Sequence, residues 1–301
     1  MTTEAPEVTI GMPVYNAGAY LAEALESLLS QSFADFEIVV SDNCSTDNTR
    51  EIVEVFAERD DRVRLIRQKE NIGAMANFGA LLGYARGKYF MWRSYDDWSD
   101  PNYIAELYKI MTDNSDCALA VPGIVRTYPD KTVSGRASYP DINAKSELHR
   151  VKELLKYSKT GWLYGLFRLP EIQKAFKAAF DGFPHIWAQD NLILLPFLLN
   201  NQVQGTNNTT FYQRETGNGD ITYRPKSLSA RWELVRDFYD FSRQCLSECS
   251  RSSSEKRQLF WPVIRYTNDR SEKFKKIIRP FLLWPVIRPY EIVSGKKTGK
   301  Y

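Results

Sequence analysis

Long apolar runs are missing from this chain of 301 residues. No stretch of 18 consecutive apolar residues occurs, so no membrane-spanning helix is expected. The N-terminus, M-T-T-E-A-P-E, has neither a basic segment nor an apolar one, and no secretory leader is expected. Cysteines are few and scattered, at Cys44, Cys117, Cys245 and Cys249. The last two lie four apart, which is not a zinc-ribbon spacing, so reduced thiols in a cytoplasmic protein are expected. Histidine is scarcer still, and His149 and His185 are read as surface or packing residues. No Gly-rich basic loop follows the first apolar run, which weighs against a phosphate cradle of the P-loop kind.

What is present is an ordinary globular composition with many rings: 16 Phe, 17 Tyr and 7 Trp. These suit a packed core or a site that grips rings and sugars. The net charge of +3 hides an asymmetry. Residues 251–301 hold 13 Lys or Arg against 4 Asp or Glu, a net of +9, and the rest of the chain carries −6. A basic tail on an acidic body points to an anionic surface as partner for the tail alone.

Apolar runs and helical patterns alternate along the first 122 residues. Val8–Met12, Phe36–Ser41, Val63–Ile66, Tyr89–Arg93 and Cys117–Val121 read as strands. Leu21, Leu25 and Leu28 mark the first intervening helix by their spacing. Alternation every 25–30 residues requires right-handed crossovers and a mainly parallel, α/β sheet. In such sheets ligands sit beyond the carboxyl ends of the strands. Asn16, Asp42, Asn43, Asn71 and Asp96 all fall there. Beyond residue 122 the alternation lapses. Residues 127–145 read as a long loop over the site, and His185–Leu199 as a helix with Asp190 at its polar start.

The stretch K-Y-F-M-W-R-S-Y-D-D-W-S-D-P, Lys88–Pro101, reads as a buried strand that breaks into an acidic turn. Asp96 and Asp97 are adjacent carboxylates at its end, and such a pair suits Mg2+ or Mn2+, which take one or two carboxylates plus phosphate oxygens. Asp97 either joins in metal binding or only orients the turn. Asp100 and Pro101 are expected to open the following helix as N-cap and first residue.

V-T-I-G-M-P-V-Y-N, V-V-S-D-N-C-S-T-D-N-T, E-N-I-G-A-M-A-N and the acidic stretch, in that order, resemble the family 2 glycosyltransferases over about residues 6–215. The resemblance implies a GT-A, Rossmann-like fold and inverting, metal-dependent transfer from a nucleotide-diphospho-sugar, with UDP as the default nucleotide. It implies that Pro13, Val14, Tyr15, Asn16, Asp42 and Asn43 line the nucleoside pocket, with Asn71 and Gly73 near the base or ribose. Asp96 matches the last acid of the family's D-x-D motif, which binds the metal, and Asp190 matches its general base. Two departures stand out. Ser94 replaces the first acid, with Tyr95 between it and Asp96, and both are assigned to the nucleotide. The family's His after the last strand is missing, and Arg214, Glu215 and Thr216 stand there instead, with Arg214 as a candidate diphosphate ligand. The processive Q-x-x-R-W signature is absent, which favours one sugar per encounter.

The expected layout is a catalytic domain over 1–225, with a nucleotide-binding half (1–122) and an acceptor half (123–225), followed by a basic helical region over 226–301. W-P-V-I-R occurs twice, at Trp261–Arg265 and Trp284–Arg288, around a Lys-rich apolar segment. Amphipathic basic segments with Trp bind anionic bilayers without crossing them. A glycan or lipid-linked acceptor at the inner face of a cytoplasmic membrane is therefore expected, and no nucleic acid. The missing acid and histidine leave open an alternative: a nucleotide-sugar-binding partner of another transferase, itself catalytically impaired.

Overall fold

The computed structural model describes residues 5–216 and 223–271. Its first half is the expected alternation: β1 (Val8–Val14), α1 (Leu21–Leu29), β2 (Phe36–Asp42), α2 (Thr49–Arg59), β3 (Val63–Arg67), α3 (Ala74–Tyr84) and β4 (Tyr89–Trp92). Every residue of β1, β2 and β4 is buried. Successive side chains of a strand point to opposite faces, so both faces of this part of the sheet are covered. Leu21, Ala24, Leu25 and Leu28 form the buried stripe of α1, as their spacing requires.

The second half contributes β5 (Trp98–Ser99), α4 (Tyr103–Asp113), β6 (Leu119–Thr127), β7 (Val133–Ala137), α5 (Glu147–Tyr157), a short 3-10 turn (Thr160–Tyr164), β8 (Leu166–Arg168), α6 (Leu169–Gly182), α7 (Gln189–Leu199), β9 (Val203–Arg214), α8 (Leu228–Glu248) and α9 (Ser253–Arg270). The strands form one sheet in the order β3-β2-β1-β4-β8-β6-β9-β5, with β7 paired to β6. Its long ladders, β1–β2, β2–β3 and β6–β9, are parallel. β2 and β4 flank β1, so the winding reverses there and opens a crevice at the strand ends.

Three local expectations are corrected. Residues 127–145 are not one loop: β6 runs on to Thr127 and β7 folds back on it, Ile124 opposite Ala137. The fifth strand starts at Leu119 rather than Cys117. Asp100 does not cap the next helix, which begins at Tyr103 after Asn102. Its carboxylate accepts hydrogen bonds from the Thr210 amide at 2.8 Å and the Tyr212 hydroxyl at 3.1 Å. Two donors from β9 hold it better than one local amide, and they fasten β5 to β9 (Trp98 opposite Tyr212).

Trp92 is fully buried and meets the rings of Phe78, Phe90, Phe167 and Phe176 at centroid separations of 4.9–6.0 Å. β4 is thereby locked in the middle of the molecule, and the acidic turn that follows it inherits a fixed position. Helix α8 lies against α7, and α9 against α8 and α5: the Phe238 ring of α8 meets the Phe183 ring edge-on and lies near Tyr266, and the Tyr266 hydroxyl donates to the Asn191 carbonyl at 2.7 Å. The second W-P-V-I-R copy and the Lys-rich segment before it lie outside the described residues.

Candidate active site

The floor of the crevice is three loops stitched together. After β1, Asn16 takes a left-handed conformation (φ 49°). Its amide donates to Ser45 Oγ at 3.0 Å, and its side-chain oxygen accepts from the Thr46 amide at 2.9 Å. The Ala17 amide donates to Thr49 Oγ1 and the Gly18 amide to Asp47 Oδ2. After β2, Asn43 donates to Asn71 Oδ1 and accepts from the Ile72 amide, both at 2.9 Å. Asn71 Oδ1 also accepts from the Gly73 amide, which opens α3 at φ 85°. A residue with a Cβ strongly disfavours that φ, so glycine is required by the backbone alone. Pro13 and Val14, at the end of β1, lie beside Ser41 and Asp42 in register. Asp42 is buried, and Oδ1 accepts from the Ser45 amide at 3.0 Å. Tyr15 is exposed on the rim.

The acidic turn divides its two carboxylates between different surroundings. Asp96 is part-buried; Ser94 Oγ donates to its Oδ1, and Thr216 Oγ1 lies 3.4 Å from its Oδ2. The segment after β9 therefore returns over Asp96, where the resemblance would have set a histidine. Asp97 is only 3% exposed, and its Oδ1 accepts from the Arg214 amide at 2.8 Å. Burial, reinforced by the Asp96 charge, pushes the Asp97 carboxyl up from 3.8 to about 8. Tyr95, half-buried beside both acids, has its phenol raised by burial first and then by their charges.

The Asp97 shift carries a pH prediction. A carboxyl held protonated by the fold contributes stability that is full below its unfolded value and is lost as pH rises through its folded value. Asp97→Asn keeps an acceptor for the Arg214 amide and has no proton to lose. In chelator, the stability of Asp97→Asn relative to the parent should rise between about pH 4 and pH 8 and then stay level. Urea melts across that range give the measurement; a constant difference would mean that Asp97 is ionised throughout.

Two arginines lie behind the turn. Arg93 is 1% exposed, donates to Ser99 Oγ at 2.9 Å and faces the rings of Tyr103 and Phe211. Arg214, expected to meet a diphosphate, has its side chain 1% exposed, clamped between Tyr20 and Trp98 and paired with Glu23 at 2.8 Å. Glu23 also pairs with Lys131 of the β6–β7 hairpin at 2.7 Å. Sequence reasoning missed Arg93, Glu23 and Lys131. Their contacts span up to 191 residues and leave no periodic trace.

The third acid comes from the far half of the chain. Ala188 takes φ 68° immediately before α7, a sharp turn that places Asp190 in the helix's first turn. Asp190 Oδ1 accepts from the amide and the side chain of Asn191, at 2.8 and 2.9 Å. Burial raises the Asp190 carboxyl, and the Asn191 bonds and the Arg270 charge only partly offset this. The phenol of Tyr164 feels the charges of Asp97, Asp96 and Asp190 together, after burial the main causes of its raised pKa. His185 stands apart, its Nε2 2.8 Å from Asp237 of α8. Among the described residues no cluster of three His, Cys, Asp or Glu side chains could hold a metal ion.

A mainly parallel sheet with its crevice at the winding reversal and acids at the strand ends is an α/β fold of the GT-A class. The profile of the Glycosyl transferase family 2 matches residues 9–172, and the chain belongs to that family. Glycosyltransferase GlyG of Streptococcus pneumoniae serotype 4 is 35% identical over 102 residues, 34% of each chain. Glycosyltransferase GlyA of the same organism is 38% identical over 103 residues, 34% of this chain and 15% of that one. TuaG of Bacillus subtilis, whose name assigns it provisionally to teichuronic acid biosynthesis, is 32% identical over 123 residues, 41% of this chain and 48% of its own. The matched stretch thus spans less than half the length of these relatives. Among solved structures, S. aureus TarS 1-349 in complex with UDP-GlcNAc superposes with a TM-score of 0.66 at 18% identity, over 95% of this chain and 77% of that one. The mannosyltransferase PcManGT of Pyrobaculum calidifontis, in complex with GDP-Man and Mn2+, gives 0.55 at 13% identity, over 97% and 84%.

Proposed function

We propose that this protein transfers one sugar, with inversion, from a nucleotide-diphospho-sugar to a hydroxyl of a glycan or lipid-linked acceptor in the assembly of a bacterial-type surface polysaccharide. The observation that carries the reading is the placement of Asp42 at the end of β2 and of Asp96 just beyond β4, at the strand ends beside the winding reversal, in a chain of this family. Inverting displacement needs a base on one side of the anomeric carbon and charge neutralisation on the other. Asp190 is the base; its raised proton affinity suits a group that must take a hydroxyl proton. Asp42, with only Oδ1 engaged among the described residues, accepts from the base of the nucleotide. UDP is the proposed nucleotide, in keeping with the TarS complex.

The residues present fit a hard divalent cation. Asp96 offers a part-exposed carboxylate beside the hydroxyls of Ser94 and Thr216, and Mg2+ or Mn2+ needs only one or two protein carboxylates when phosphate supplies the other oxygens. Asp96 would hold it, with Asp97 behind. Bound there, the ion would neutralise charge on the diphosphate. Arg214 meets the diphosphate only by leaving Glu23; in its present place it orders the turn through its backbone amide.

Incubation with UDP-, GDP- and dTDP-sugars and Mn2+, scored by nucleotide release, tests the reading. Release with at least one donor is expected. No release and no thermal shift with any donor would leave a protein without this activity. Chelation should cut the rate by about 100-fold or more, with Mn2+ restoring it, and Asp96→Ala should lose as much without rescue.

The membrane reading rests on α9. Arg257, Trp261 and Arg265 lie four apart on its exposed side, with Trp261 74% exposed. A Trp between two arginines suits the headgroup layer of an anionic bilayer. No helix among the described residues is long and apolar enough to cross a membrane.

A further inference from the structure

Near Asp190, whose carboxyl feels the Arg270 charge, lies a group of cations. Arg270, at the end of α9, is brought there by Tyr266 one turn earlier, whose hydroxyl holds the carbonyl of Asn191. Its Nη2 donates to the Ser158 carbonyl, and its Nε is buried without a partner. The next residue is Lys159, part-buried at the start of the 3-10 turn. That turn is pressed on β6: a Cβ at Gly161 would lie 2.8 Å from Ile124 Cδ1. Two residues further along β6 is Arg126, exposed, in register with Gln213 of β9.

The charges are not matched locally. Burial lowers the Lys159 ammonium, and Arg270 and Arg126 lower it further; no acid offsets them. Neither Lys159 nor Arg126 forms an ion pair among the described residues. Among the described residues, the Asp190 carboxyl feels the Arg270 charge. Cations left within reach of one another raise the free energy of the empty site, and an oxyanion among them would lower it.

We propose that the acceptor is anionic, its phosphate or carboxylate seated among Lys159, Arg126 and Arg270 while its hydroxyl faces Asp190. This rests on Asp190 being the acceptor-side base. A neutral glycan would leave the three cations unmatched, and an anion placed there fixes which hydroxyl reaches the base. The same cations would hold the incoming hydroxyl's molecule against the repulsion of the donor diphosphate.

Binding can be read without turnover. Octyl glucoside, octyl glucoside 6-phosphate and octyl glucuronide are titrated into the full-length chain and followed by ligand-observed NMR at low and high salt. One or both charged ligands should bind about tenfold more tightly than the neutral one at low salt, and the advantage should shrink at high salt. The phosphate and uronate arms separate the two sources of charge. Lys159→Gln with Arg126→Gln, which keeps much of the side-chain bulk, should remove most of the preference; Lys109→Gln, on the exposed side of α4, should not. Equal affinity for all three ligands overturns the proposal, as does a preference that survives in the double variant. Nucleotide release by the parent protein, measured alongside, reports separately on the transferase reading.

Discussion

Asp190→Asn should lower the transfer rate by about 10²–10⁴-fold while leaving the fold intact. The asparagine oxygen still accepts from the Asn191 amide, which now holds Asp190 Oδ1 at 2.8 Å. The N-terminus of α7 and the Tyr266 bond to Asn191 are therefore preserved. What is lost is a group able to take a proton. In the proposed arrangement the donor sits on the Asp42 and Asp96 side of the crevice, so its KM should change little while kcat falls. The parent enzyme carries a second signature. Burial raises the Asp190 carboxyl, and the base works only when deprotonated. The acid limb of its pH–rate profile should therefore lie above the usual aspartate value. Steady-state rates with a matched melting curve give the measurement. A near-parental kcat in the variant would remove Asp190 from the chemistry.

Glu37→Ala should cost about 3 kcal/mol of folding stability at neutral pH, the low end for breaking a buried ion pair. Glu37 is the second residue of β2, with its side chain 4% exposed. It accepts from Thr9 Oγ1 at 2.8 Å, from the Arg86 guanidinium at 2.6 and 2.9 Å, and from Arg64 at 3.2 Å. Thr9 Oγ1 in turn accepts from the amides of Arg86 and Gly87. Removal of the carboxylate unpins the loop that leads into β4, and with it the strand that carries the acidic turn. The arginines are 34% and 60% exposed and can regain water, which sets the estimate at the low end. Burial alone pushes the Glu37 carboxyl upward, but Arg86, Thr9 and Arg64 outweigh it and leave it below the usual 4.5. A depressed carboxyl contributes stability above its unfolded value and loses it as pH falls through its folded value. The difference between parent and variant should therefore be full at pH 7 and shrink below about pH 4.5. Urea melts at pH 7 and in acid would show this; an unchanged midpoint at pH 7 would mean that the arginines hold nothing in place.

Both predictions concern residues whose importance is unequally visible in the sequence. Asp190 opens a polar-to-apolar helix, so its place in the first turn of α7 is legible from one chain segment. Glu37 stands in F-E-I-V-V-S as an isolated charge in an apolar run. Nothing local says that two arginines 27 and 49 residues away enclose it. The same holds for Arg214. Its position after the last strand suggests a free cation, whereas Glu23, Tyr20 and Trp98 take it up.

The sequence by itself determined the parallel half of the sheet and the positions of its loops. A strand covered on both faces is mostly apolar, with any buried polar group paired inside as Thr9 and Glu37 are, and the polar residues that end each run then lie along one edge. It also determined which acids stand at that edge. Only the tertiary structure decided what each acid faces. Asp96 and Asp97 are neighbours with the same side chain, yet one opens to the crevice and the other is sealed against the Arg214 amide. Asp100 turned from its helix to β9 for the same reason. A carboxylate goes to whichever donors the folded chain brings nearest, and here those donors lie more than a hundred residues away.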